Sequence, residues 1–425
     1  MNCFSGSLIL GLMAACAACG APASEAGNDA TSADYAVHYT VTAHPADSVV
    51  DVTMQVRQTR GQLRAVEFSF DAKRLSDIVA NGTLIVGESK VTWQPDRRGG
   101  QIGWRVRPSH RRGGNGYDAL LRADWGIFRA EDIVPRARTR TLKGATARTT
   151  LRFELPAGWS AITEYSSIND PIKVTGSTRR FNQPSGWIAI GDLGVRRETI
   201  AGIRVAIAAP QGETVRRMDM LALLNWTLPE LTAITPAVDS RLTIVSAGDP
   251  MWRGGLSAPR SLFIHADRPL ISENATSTLV HEVVHVVFGI RAVNGFDWIA
   301  EGLAEFYSLE LLHRGGAITT RRYNRALEDQ AEWAQSAPGL CGESSSGATT
   351  AAAVMTFRKL DEEIRKSTNG KHSLDNVVEA LAHGEDKVTL LALQRVVEDL
   401  LKKPSRTLRA DALPGCKQFA ANTQA

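Results

Sequence analysis

Little in this 425-residue chain is extreme, and what is scarce limits what it can be. Apart from its start, no apolar run approaches the roughly 20 residues a membrane-spanning helix needs, so the mature protein is expected to be soluble or held by lipid alone. There is no long low-complexity tract and no internal repeat. Net charge is only +4, with 49 Lys and Arg against 45 Asp and Glu. That balance gives no argument for a nucleic-acid partner, and none is expected. The arginines that cluster over 94–116 are interleaved with glycines and read as solvated hairpin turns. Cysteine is rare: of five, Cys3, Cys16 and Cys19 fall near the start. Tyrosine is rare too, and none follows Tyr323.

The first residues form an apolar run, SLILGLMAACAACGAPASEA, too short to span a bilayer and followed by small residues suited to cleavage. Residues 1–23 therefore read as an export signal, although Met1 to Ser7 carry no Lys or Arg. Two endings are open: signal-peptidase cleavage after Ala-Pro-Ala at 21–23, or lipoprotein processing at Cys16 or Cys19. Either leaves Cys341 and Cys416 as an even pair in an exported, periplasmic or cell-envelope protein, and a disulfide between them is expected. Residues 24–34 read as a linker.

From 35 to 197 short alternating runs such as AVHYTVTAH and VVDVTMQVRQ are separated by turn residues, which predicts an antiparallel β-sandwich. ADWGIFRAEDIVPR within it reads as a loop or crossover. The texture changes near 195–200. ETIAGIRVAIAAP reads as a strand, VRRMDMLALLNWTLPELTAI as a helix, and RLTIVSAG and RSLFIHAD as strands, so 198–330 opens as a mixed α/β piece. Beyond Asp297 nearly everything reads as helix, and 331–425 is expected to be a helical C-terminal region. The fold class is thus α+β and multidomain.

Chemistry concentrates in TSTLVHEVVHVVFGI. On a helix His281 and His285 share a face, so both can aim a ring nitrogen at one ion about 2.0–2.1 Å away. Glu282 sits one step round, near such an ion but not on it, as suits a carboxylate that takes a proton from water. Catalytic zinc needs a third protein ligand. Sixteen residues past His285, in DWIAEGLAEFYSLELL, Asp297 is a good N-cap and Glu301 and Glu305 stand four apart on one face. Spacing does not decide between the two carboxylates: one goes to the metal and the other holds a histidine N–H. Gly289 and Gly295 let the second helix fold back on the first.

HEVVH followed by WIAEGLAEFYS resembles the gluzincin zinc metallopeptidases, specifically the aminopeptidases and glycyl aminopeptidases in which His-Glu-x-x-His is followed by Trp-x-x-Glu-Gly. MWRGGLSAPRSLFI is similar to the glycine-rich strand bordering their cleft, and 354–381 to a helical segment of the glycyl aminopeptidases. The resemblance covers 200–385 well and the sandwich loosely. It implies a β-sandwich ahead of a thermolysin-like α/β catalytic domain and a helical tail. It also implies one zinc per chain on His281, His285 and Glu301, with Glu305 orienting a histidine and Glu282 activating the zinc-bound water against a peptide bond. Two departures stand out. These families carry a glutamate for the substrate's free amine where this chain has Ser257, so Asp267 or Glu273 would have to replace it. They also place an oxyanion-stabilising tyrosine where this chain has Thr349 and Thr350, which leaves Tyr323 and His383 as candidate donors, while Tyr307 reads as helix core.

The expected protein is an exported zinc metallopeptidase acting on peptides or proteins, with membrane contact only through a lipid anchor. The main alternative is a non-catalytic descendant that keeps zinc and binds peptide without cutting it. An adhesin-like protein working through its sandwich is a third.

Overall fold

A computed structural model describes residues 34–416 except 115, 166–169, 178, 236–240, 383 and 385. The stretch read as an export signal, the cleavage or lipidation sites expected in it, including Cys16 and Cys19, and the expected linker up to residue 33 lie outside the described residues, as does His383. Among the described residues no helix is long and apolar enough to cross a membrane.

The strand-rich first half folds as three sheets. Strict alternation in Asp34–His44, with every second side chain buried, lets one face of a six-stranded sheet close over the core. Val37, Tyr39, Val41, Met54 and Trp104 meet Val66, Phe68 and Trp93 of a four-stranded sheet there. The sandwich is not wholly antiparallel, because Asp34–His44 pairs in parallel with Thr146–Glu154. These strands are far apart in sequence, and local alternation carries no information on direction. The segment read as a loop or crossover holds instead the strand Trp125–Arg129 and one helical turn, Ala130–Ile133. That strand is buried on both faces in the middle of a third, five-stranded sheet, so it lacks the polar alternation that marks a half-exposed strand.

The second half is built on a mixed five-stranded sheet in the order Leu193–Ile200, Ile203–Pro210, Arg241–Ala247, Ser261–His265 and Gly255–Ala258. ETIAGIRVAIAAP is two strands of a hairpin and not one, turning at Ala201 and Gly202, both at positive φ. Side chains split between the sheet's two faces. Val205, Ile207, Ile244, Leu262 and Ile264 pack on the helices, while Ala208, Val245, Ala247 and Phe263 pack on Trp125, Ile127, Trp187 and Ala189 of the third sheet. One core cluster joins buried residues of the mixed sheet and of the helices, the first of them Ile200 and the last Cys416.

Cys341 and Cys416 form a disulfide. It fastens Cys416 to a loop whose next residues meet the segment leading into the helix that carries Glu301: Gly342 N–H donates to Gly295 O at 3.1 Å and Ser345 N–H to Asp297 Oδ2 at 2.9 Å. The bridge spans 75 residues, for which chain entropy gives an upper value of about 4 kcal/mol. Replacing both cysteines with serine should therefore lower the denaturation midpoint and steepen the denaturant slope, because the unfolded chain, no longer cross-linked, exposes more surface. Two free thiols by intact mass under non-reducing conditions would reject the bridge.

Candidate metal centre

The helix Thr278–Phe288 contains five valines, poor intrinsic helix formers, so burial sustains it. Ser277 caps its start by accepting from Val280 N–H at 3.2 Å, and Gly289, at φ 63°, closes its end. Leu279, Val280, Val283, Val284, Val287 and Phe288 are buried, which leaves the His281 and His285 edge partly open. The helix Trp298–Arg314 is buried on nearly all sides, and Glu301, Glu305 and Glu310 are among its few partly open residues. Gly302 makes its close crossing with Ala348–Ser367 achievable, since a Cβ there would lie 2.5 Å from the Cβ of Ala353. Asp297 holds the N-cap position, but its backbone is helical and its carboxylate takes Ser345 N–H in place of a cap bond. Ser308 Oγ donates to Ser277 O at 3.3 Å, tying the two helices together.

Across this junction three side chains converge. His281 Nε2 and His285 Nε2 are 3.1 Å apart, Glu301 Oε2 is 3.4 Å from the first and Glu301 Oε1 is 3.3 Å from the second. An ion about 2.0–2.1 Å from each of three tetrahedral donors sets them about 3.3 Å apart, so the cradle fits zinc in size as well as in chemistry. Among the described residues this is the group of His, Cys, Asp and Glu that could hold a metal ion. Glu305 Oε2 lies 2.9 Å from His281 Nδ1, which turns the other nitrogen, Nε2, to the cradle.

Electrostatics agree with a cation-binding role. Burial works against a charged His281, but hydrogen bonds to Glu301 and Glu305 prevail and raise it to about 10. Burial likewise pushes Glu301 up, and His281 and His285 outweigh it, holding the carboxyl well below the ordinary carboxylate range. The carboxylates of Glu301 and Glu305 that favour a proton on His281 would equally favour a metal cation in the proton's place.

Glu282 is 8% exposed and is not one of the three converging side chains. It lies against the edge strand Gly255–Ala258, where a Cβ on Gly255 would come within 2.6 Å of Glu282 Cγ and 2.8 Å of Thr278 Cγ2. Gly255 is thus what lets the strand approach the His281 helix, a role the Gly-Gly pair in the sequence could have signalled.

Tyr323, Tyr307 and Thr350 are hydrogen-bonded to residues other than the three that converge. Tyr323 does not reach the cradle: its hydroxyl donates to Glu310, nine residues beyond Glu301 and so about half a turn round the helix, and its ring stacks on His313. Tyr307 is core, donating to Asp375 Oδ1 at 2.8 Å. Thr350 is hydrogen-bonded to Ser345 at 3.1 Å. Asp267 is exposed with Arg253 3.7 Å away, and Glu273 is exposed.

No family model matches the sequence, and no curated protein does. Among solved structures the chain is similar to an aminopeptidase N family protein from Idiomarina loihiensis. The TM-score is 0.66 at 15% identity, covering 91% of this chain and 78% of that one. At that identity the likeness is one of fold, and the fold is aminopeptidase-like.

Proposed function

We propose that the protein is an exported, zinc-dependent peptidase that hydrolyses peptide bonds with Glu282 as general base. The observation that carries this reading is the placing of Glu282. A carboxylate outside the converging trio of His281, His285 and Glu301, next in sequence to His281, is buried against a sheet edge. A site holding metal only for structure has no use for it.

The edge supplies the substrate's place. His265 N–H donates to Gly254 O, and the antiparallel register then alternates, so the N–H and C=O of Gly255 and Ser257 point away from the sheet. A polypeptide adding as a further strand takes those bonds and lies over the Glu282 side of the strand. Zinc, when bound, supplies Lewis acidity that brings the pKa of water near 7. Glu282 takes the proton of the attacking water as oxygen bonds to the carbonyl carbon, then delivers it to the amide nitrogen as the C–N bond breaks. Glu305 holds His281 Nδ1 throughout, and His281, His285 and Glu301 keep the metal. Export fits the disulfide, which belongs to oxidising compartments. Cleavage after 21–23 or lipidation at Cys16 or Cys19 would complete it.

The test is turnover of a mixed peptide pool by zinc-loaded protein, lost on chelation and restored by zinc. Zinc retained without turnover of any peptide would favour the non-catalytic, peptide-binding descendant. Mode of cleavage can be read at the same time. Ser257 offers no charge to a substrate ammonium, and an unpaired buried charge is costly. An N-acetylated peptide should therefore be cleaved at least as fast, by kcat/KM, as its free-amine twin. A preference of about tenfold or more for the free amine, the equivalent of about 1.4 kcal/mol, would mean that another acid grips it.

A further inference from the structure

The first half of the chain carries none of the metal-site residues, yet it holds the strand on which the proposed substrate would lie. Gly255–Ala258 is only four residues long, and its turn back to Ser261–His265 passes through Pro259 and Arg260. Trp187, wholly buried in the third sheet, donates Nε1–H to Leu256 O at 2.9 Å and its backbone N–H to Ser261 Oγ at 2.8 Å. Ser261 Oγ in turn donates to Pro259 O at 3.0 Å, and the Trp187 ring packs on Phe263 with centroids 5.5 Å apart. At the turn, Arg260 Nε–H donates to Glu164 Oε2 at 2.7 Å, and its NH2 group donates to Thr175 O at 2.8 Å. The Arg260 and Glu164 side chains are 8% and 0% exposed, so this pair works away from solvent screening.

We propose that Trp187 and Arg260 are positioning residues for the active site: through them the strand-rich half sets the edge strand at the place where Gly255 meets Glu282. The inference rests on the peptidase reading for its kinetic consequence. Its physical basis is separate. A four-residue edge strand has one hydrogen-bonded neighbour in its sheet, and Leu256 O and the Pro259–Ser261 turn are further fixed from Trp187, Glu164 and Thr175. Loosening it spoils main-chain binding of a peptide in ground and transition states alike, which raises KM and leaves kcat.

The test compares two substitutions that each remove one indole-to-carbonyl hydrogen bond. Trp187→Phe loses the bond to Leu256 O, and Trp104→Phe loses the 2.8 Å bond to Ile133 O elsewhere in the strand-rich half. Expected for Trp187→Phe is amide exchange about three- to tenfold faster over 255–265, matching one hydrogen bond, with zinc content unchanged and KM raised by a similar factor. For Trp104→Phe, exchange over 255–265 and KM should stay at wild-type values. Equal exchange over 255–265 in both variants overturns the proposal, as does faster exchange with unchanged KM in an active enzyme. If wild type turns over no peptide, the peptidase reading fails, and exchange alone decides whether Trp187 holds the strand. Should Trp187→Phe not fold, Ser261→Ala, which removes the acceptor of Trp187 N–H, is judged by the same criteria.

Discussion

Glu282→Gln is expected to keep about one zinc per chain and to lower kcat by about 10²–10⁴, the usual worth of a general base, with KM little changed. Glutamine keeps the shape that packs against Gly255 and Thr278 but cannot accept a proton. Because Glu282 is not among the three converging side chains, zinc content should not follow activity downward. That separation makes the variant diagnostic. Activity within tenfold of wild type would remove Glu282 from the mechanism. Parallel loss of zinc and activity would mean that its carboxylate serves the metal instead.

Removing cradle residues should act the other way, through metal content. His285→Ala should lose most of the zinc, and His281→Ala/Glu301→Ala should lose all of it. His285 Nε2 lies 3.1 Å from His281 Nε2 and 3.3 Å from Glu301 Oε1, and a single remaining donor cannot hold zinc in place. Glu305→Ala removes the partner at 2.9 Å from His281 Nδ1 and should weaken zinc binding by about 10–100-fold without abolishing it. Turnover should track zinc across this series. Full zinc occupancy in the double variant, by elemental analysis of dialysed protein, would falsify the cradle.

How much of this was legible beforehand depends on the distance over which each feature is determined. The four-residue spacing of His281 and His285, and of Glu301 and Glu305, is a property of one helix, so sequence periodicity alone put each pair on one face. The turn glycines Gly289 and Gly295 were readable for the same reason, and Gly289 does close its helix at positive φ. Strand directions were not. The parallel pairing of Asp34–His44 with Thr146–Glu154 joins residues more than a hundred positions apart, and Trp125–Arg129 reads as loop because it is buried on both faces.

Within the site the same division holds. The sequence, with its resemblance to the gluzincins, nominated His281, His285, Glu301, Glu305 and Glu282, and paired Cys341 with Cys416 by parity. Spacing alone left open which of Glu301 and Glu305 faces the cradle. In the structure Glu301 meets both histidine Nε2 atoms while Glu305 meets Nδ1. Tyr323 stood open as an oxyanion donor until the tertiary structure put its hydroxyl on Glu310, because which face of one helix a side chain on the next can reach is settled by packing. Only that packing brings Trp187 to Leu256 and Glu164 to Arg260, across 69 and 96 residues of chain. Local spacing determined what the metal cradle is made of, because neighbours on a helix are fixed by its period. Long-range burial decided where the edge strand lies against Glu282 and what holds it there, because those contacts exist only once distant segments have packed.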